Sequence, residues 1–147
     1  MNAIDQTLGA RGLVMQFEGC PLQAYWDRYG RCWTIGWGHT GTDVAPGLAW
    51  TQDQADAVLD QDLTQAAHLL ALYSPSVSKP GQLAALIDFI FNLGPIAYRN
   101  STLRKVVDAG QWLSAKTEIL RWDHSSGTIV PGLLRRRQAE ADLIELV

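Results

Sequence analysis

Between Leu22 and Asp43 the chain changes character, and that change sets the architecture available to it. Tyr25, Trp26, Tyr29, Trp33, Ile35 and Trp37 lie among Gly30, Gly36, Gly38 and Gly41. Aromatic and β-branched residues spaced between glycines suit a pleated surface with tight turns. The stretch therefore predicts a small twisted antiparallel sheet, with a hairpin turn centred on Tyr29-Gly30. The flanking sequence carries helical spacing instead. Ile4 to Phe17 reads as a first helix with Ile4, Leu8 and Met15 near one face, and Gly9 and Gly12 either weaken it or allow close packing. Glu18-Gly19 closes it, since glycine is favoured just past a last turn. Thr51 opens a long helix with a capping-box pattern, Gln54 standing three residues on. Its residues Ala55, Val58, Leu59, Ala66 and Leu70 keep one face to about Tyr73.

Ser74 to Pro80 has turn chemistry, and Pro80 suits a first helical position. The helix that follows, to about Leu93, is apolar on most sides and reads as the buried axis of a second lobe, with Gly94-Pro95 as its stop. Shorter helices are expected at Thr102 to Ala109 and Gln111 to Leu120. Ser125-Ser126-Gly127 reads as a loop, and Pro131-Gly132 as the lead into a last helix through Arg135 and Leu143. The expected class is α+β, mostly helical, in one domain spanning residues 1–147. A β-rich lobe covers about 19–50, a bridging helix about 51–73, and a helical lobe about 78–147 together with the N-terminal helix, with a cleft between the lobes.

A chain of 147 residues buries about two-thirds of its unfolded surface in such a domain. No run approaches the roughly 18 to 20 apolar residues that span a bilayer, so no stable membrane insertion is expected. The longest, Leu83 to Leu93, is broken by Asp88 and Asn92. The N-terminal residues lack the basic stretch and apolar run of a secretory signal, which predicts a protein made and held in the cytoplasm. Net charge is −3, and residues 46–72 carry four acids and no Lys or Arg. Asp53, Asp56 and Asp60 share one side of the long helix and read as a solvated face. Arg135-Arg136-Arg137 is the densest positive spot, read either as a basic wall for an anionic polymer or as arginines solvating the last helix. An acidic chain without a groove-reading motif is a poor fit to nucleic acid. Cys20 and Cys32 form no metal-binding pattern. A disulfide between them is geometrically conceivable, but free thiols are expected of a cytoplasmic protein. His39 reads as a structural histidine bonded to a carboxylate; His68 and His124 share no ligand spacing with it.

The chemistry concentrates in Glu18 to Thr40. Glu18 and Asp27 are two carboxylates nine positions apart, the first at a helix end and the second on a strand. Glycoside hydrolysis needs such a pair: one acid protonated to serve the leaving oxygen, the other ionised to activate water or stabilise positive charge. A carboxyl partly buried at a seam between helix and sheet is in the setting that favours its protonated form. Glu18 alone is better read as an ordinary solvated acid at a helix end, and the rival reading of Asp27 is a turn residue before Gly30.

Glu18-Gly19, Asp27 and Thr34-Ile35-Gly36-Trp37-Gly38-His39-Thr40 together resemble the signature of the phage-type lysozymes, glycoside hydrolase family 24. The likeness continues through Ala84 to Gly94, Asn100-Ser101-Thr102-Leu103, Leu120-Arg121-Trp122 and Pro131-Gly132-Leu133 with the three arginines, so it runs from about Leu13 to Ile144. Six residues separate Asp27 from Thr34, where the family has five. The extra one falls in the hairpin turn, which absorbs it. The resemblance implies a two-lobe lysozyme-like fold and catalysis by Glu18 (acid), Asp27 (second carboxylate) and Thr34 (holding water between them). It implies substrate contacts from Thr40, Phe91 and Ser101 and an approach of Arg135 or Arg136 to Glu18; Trp37 and Trp33, in the sheet that would line the cleft, are the candidates for stacking on sugar rings. It further implies a monomeric, cofactor-free, inverting muramidase that cuts the β-1,4 bond of peptidoglycan and lyses a phage host, with a separate holin-type permeabiliser giving access to the wall. Chitin-type oligosaccharide hydrolysis, a non-catalytic wall-binding module and a virion-tail lysozyme unit are the rival readings.

Overall fold

The computed structural model describes residues 3–146, with side chains from residue 6 onward. Helix α1 (Ala3–Phe17) leads into a three-stranded antiparallel sheet, β1 (Tyr25–Asp27), β2 (Cys32–Ile35) and β3 (His39–Thr40). Helix α2 (Gln52–Tyr73) carries the chain out of the sheet lobe to α3 (Pro80–Leu93), α4 (Pro95–Arg99), α5 (Thr102–Asp108) and α6 (Trp112–Ile119). A short hairpin of β4 (His124–Ser125) and β5 (Thr128–Ile129) precedes α7 (Pro131–Leu143). The expected α+β class, with its small sheet and long second helix, is what forms.

Helix α3 is the axis. Every residue from Gln82 to Ile90 is buried, so no face is left for water, as its continuous apolar run requires. Helices α1, α2 and α7 pack round it. Helix α1 approaches it closely at Gly9, where an added Cβ would stand 2.6 Å from the Cβ of Ala84. The first helix buries Ala10, Leu13 and Val14 against this axis, while Leu8 and Met15 are exposed. The expected face was therefore misplaced: small residues make the intimate contact, and the larger Leu8 and Met15 turn to solvent. The Ile4 side chain lies outside the described residues.

Helix α2 starts where its capping box says it should. Thr51 accepts from the Gln54 N–H and Gln54 accepts from the Thr51 N–H, satisfying two otherwise orphaned donors. Of its acidic face, Asp60 pairs with Arg11 at 3.0 Å and Asp56 accepts the Trp37 indole N–H at 2.8 Å. Gly94-Pro95 does end α3, but Pro95 also begins α4, because its fixed φ and missing N–H fit a first helical position. The expected loop at Ser125 to Gly127 is a hairpin: Ser126 and Gly127 both take positive φ (52° and 80°), the twist that two-residue β-turns need.

The sheet is fastened to α2 by His39, whose Nδ1 lies 2.7 Å from Asp62, while its Nε2 lies 3.0 Å from Asp43. The hydrogen bond to Asp62 outweighs the opposing effect of burial and, with help from Asp43, raises the imidazole from 6.5 to about 9. The cation is thus the form the fold prefers.

Two stability predictions come from these contacts. Gly9→Ala is expected to cost about 1–3 kcal/mol through overpacking against Ala84, whereas Gly12→Ala, whose Cβ would meet nothing within 4 Å, should stabilise by about 1 kcal/mol; urea unfolding of both variants reads this directly. Because the folded-state affinity of His39 for its proton exceeds the unfolded one, its contribution is complete below pH 6.5 and is lost as pH rises through about 9. Melting temperature should fall across that window in the wild type and lose that part of its slope in His39→Asn.

Candidate active site

Glu18 follows the last turn of α1, its N–H bonded to the Val14 carbonyl at 2.8 Å. A carboxylate at the negative end of a helix is disfavoured, and the compensation is a cation: Arg136 Nη1 donates to Glu18 Oε1 at 2.6 Å. Gly38 lies over the other side of the carboxyl, so close that a Cβ would come within 3.2 Å of Glu18 Cδ. With φ at 82° and a carboxyl in contact, only glycine serves there.

The strands supply the facing wall. Register pairs Tyr25 with Thr34, Trp26 with Trp33 and Asp27 with Cys32. Alternation along a strand then places Tyr25, Asp27, Cys32 and Thr34 on one face and the two tryptophans on the other. Trp26 and Trp33 stack edge to face there, centroids 5.9 Å apart. Asp27 Oδ1 accepts the Tyr29 N–H at 3.0 Å, which fixes both the four-residue turn and the carboxylate that starts it. The Thr34 hydroxyl is buried, 3.8 Å from the Cys32 sulfur. Burial, and then the neighbouring charges of Asp27, Glu18 and Cys32, raise the Tyr25 phenol, which keeps it neutral.

Glu18, Asp27 and Thr34 line one hollow of about 240 Å³, together with Thr40 and Phe91 and with Tyr25, Cys32 and Asn92. A second hollow of about 570 Å³ shares Glu18 and Asn92 with it and continues past Tyr29, Val130, Leu133 and Arg135. A third, of about 270 Å³, shares Gly38, Thr40 and Phe91 and runs on past Asp62 and Pro95. The three form a trough with the acid pair at its middle. Trp37 and Ser101 line none of them. The Trp37 indole is turned onto Asp56, and Ser101 caps α5, donating to the Tyr98 carbonyl and accepting the Arg104 N–H. Trp33 lies on the far face of the sheet. Asn92, Tyr25 and Tyr29 were missed; a polar Asn inside an otherwise apolar helix was the available signal.

Behind Glu18 the three arginines divide. Arg135 is exposed, whereas Arg136 is 3% and Arg137 0% exposed. The latter two are neither a basic wall nor a solvated helix face. Arg136 grips Asp88 with Nε and Nη2 at 2.9 and 2.8 Å, leaving Nη1 for Glu18. Arg137 Nη2 donates to Asn92 and Glu140 at 2.9 Å each, and its Nε approaches Glu140 at 2.6 Å outside hydrogen-bonding alignment. Burial opposes the charge on Arg136, but Asp88 and Glu18 outweigh it and hold the guanidinium ionised. Burial, reinforced by Asp88, pushes Glu140 upward. Cys20 and Cys32 are free thiols. Among the described residues, no group of three His, Cys, Asp or Glu side chains is placed to hold a metal ion.

The phage lysozyme family model matches residues 15–140. An endolysin from Acyrthosiphon pisum secondary endosymbiont phage 1 is 37% identical over 144 residues, covering 94% of this chain and 97% of that one. A SAR-endolysin from Bacteriophage PS119 is 32% identical over 126 residues, 86% of this chain and 75% of its own length. Among solved structures, the muramidase domain of SpmX from Asticaccaulis excentricus superposes with a TM-score of 0.82 at 28% identity, covering 93% of this chain and 95% of that chain. The endolysin of Escherichia coli O157:H7 phage FAHEc1 gives 0.80 at 27%, covering 94% and 91%. With the matched region holding both lobes and the trough between them, this chain belongs to the phage lysozyme family.

Proposed function

We propose that the protein is an endolysin muramidase, hydrolysing the β-1,4 bond between N-acetylmuramic acid and N-acetylglucosamine in peptidoglycan. The observation that carries this reading is the common hollow of Glu18, Asp27 and Thr34, opening at both ends into a trough that accepts an extended polysaccharide. Glu18 delivers its proton to the leaving oxygen as the glycosidic bond breaks. Asp27, anchored through one oxygen to its own turn, uses the other to orient water or to stabilise the oxocarbenium-like centre. Thr34 holds that water between the two carboxyls. A water on the opposite face of the sugar inverts the anomeric centre, which requires the carboxyls to be about 6.5–9.5 Å apart. Thr40 and Phe91 are the substrate contacts favoured by position, whereas Trp37 and Ser101 support the walls.

No described helix is long and apolar enough to cross a membrane. A separate permeabiliser of the holin kind is the proposed means of access to the wall, with a signal-anchor route, as the name of the PS119 relative suggests, as the competing outcome. Expression with and without a holin separates them, since lysis by the chain alone would remove the need for a partner.

The catalytic reading is tested by the clearing of permeabilised bacteria. Wild type should lyse them, and Glu18→Gln should fall by about 10²–10⁴-fold with unchanged binding to isolated walls. Equal clearing by both would place the acid elsewhere. Chitin oligomers as a second substrate read the sugar preference, and NMR of the first-formed anomer reads the stereochemistry.

A further inference from the structure

Behind the trough, three carboxyls share two guanidiniums. Asp88, Arg137 and Glu140 are 0% exposed and Arg136 3%, while Glu18 alone turns an edge to the cleft. A net charge in so dry a place is costly, and neutrality needs only two negative charges against Arg136 and Arg137. Arg136 spends two of its three donor nitrogens on Asp88, and Arg137 is held by Glu140. The third carboxyl is therefore surplus, and the cluster is neutral when it carries one proton.

We propose that Asp88 and Glu140 are positioning residues, which by acting as counter-ions to Arg136 and Arg137 release Glu18 from that task and let it hold a proton facing the substrate. The inference rests on Glu18 being the general acid. It resolves a conflict in the site, because a lone arginine 2.6 Å from Glu18 would favour the ionised, catalytically idle form. It also gives the cluster a reason to take up a new proton after each turnover, since the discharged state leaves a net negative charge in the interior.

The other groups facing Glu18 are Asp27 and Tyr25 from β1, Cys32 from β2, and Tyr29 and Arg135 in the adjoining hollow. Neither Asp88 nor Glu140 lines these hollows, so their replacement alters the charge count without altering the surface that meets the sugar. Asp88→Asn and Glu140→Gln each remove one titratable carboxyl at nearly constant volume. Two carboxyls then balance two arginines with no proton, wherever the proton had rested. Arg137→Gln does the reverse and calls for a second proton.

The experiment is the pH dependence of kcat/KM on soluble peptidoglycan fragments. Asp88→Asn and Glu140→Gln are expected to move the alkaline limb toward acid by about one pH unit, a tenfold loss on that side of the profile, with the acidic side retained. Arg137→Gln is expected to move it the other way. A uniform fall in rate at every pH, with the limb unmoved, would mean that these residues only hold the fold, and would overturn the inference. Should the variants not fold, infrared titration of the wild type serves: one protonated carboxyl band should persist at about pH 7, where exposed carboxyls are ionised, and its absence overturns the inference equally. Glu18→Gln in the same assay keeps the two questions apart. If it remains active, the acid assignment fails; if it is dead while the limb in Asp88→Asn stays put, only the counter-ion role fails.

Discussion

One guanidinium ties together three helices of the helical lobe. Arg136 comes from α7, near the end of the chain, and bonds Asp88 on the buried axis α3 and Glu18 at the end of α1. Burying such a group is unfavourable unless every donor is matched, so the three elements must arrive together in one arrangement or leave a bare charge inside. Hydrophobic burial makes the helical lobe compact, but it is indifferent to sliding or rotation by a fraction of a turn. The fork of Arg136 is not. It sets the register of α7 against α3, and its remaining nitrogen then fixes where the Glu18 carboxyl stands at the cleft.

The opposite wall obeys a different rule. In the sheet, position is set by alternation and by the turn. The six residues between Asp27 and Thr34 are taken up by the turn from Arg28 to Arg31, in which Arg31 stands at φ 54°, and by Cys32 and Trp33 of β2. Had one more residue entered a strand, every side chain beyond it would have changed faces. Asp27 and Thr34 would then have parted company. The register that forms leaves both on the cleft side and sends Trp26 and Trp33 together to the other.

This contrast explains what could be read from the sequence. The helices, the hairpin, the capping box at Thr51 and the positions of Glu18, Asp27 and Thr34 were legible, because each depends on local period, local turn chemistry or a motif contained within a few dozen residues. What was not legible depends on partners far away in the chain. The family resemblance brought Arg135 or Arg136 toward Glu18, and it is Arg136 that arrives, but nothing near these arginines says that Asp88, 48 residues before Arg136, will grip it in the interior. Three adjacent arginines look like a solvated surface until those acids are supplied. Trp37 looked like a sugar platform from its place in the sheet, but its indole N–H is taken by Asp56 on α2. Ser101 fared similarly, since a serine one residue before a helix is as good a cap as a ligand. Leu8 and Met15 misled for a simpler reason: at a close helix crossing, small residues outrank large ones.

Glu18 stands where a negative charge is hardest to sustain. The C-terminus of α1 opposes that charge, Arg136 supports it, and Asp88 offsets Arg136. Asp88 is fully buried, away from the solvent of the trough, whereas Arg136 reaches the lining of its larger hollow. Asp27 is arranged the other way, at the end of a strand that leads into an exposed turn. Two carboxyls of nearly equal intrinsic acidity are thereby separated in role by what stands behind them: a dry, charge-compensated helical core for one, and a hydrated hairpin for the other. The division between the lobes is the same division, because only the helical lobe is thick enough to bury a network of charges and only the sheet lobe is thin enough to leave its acid wet.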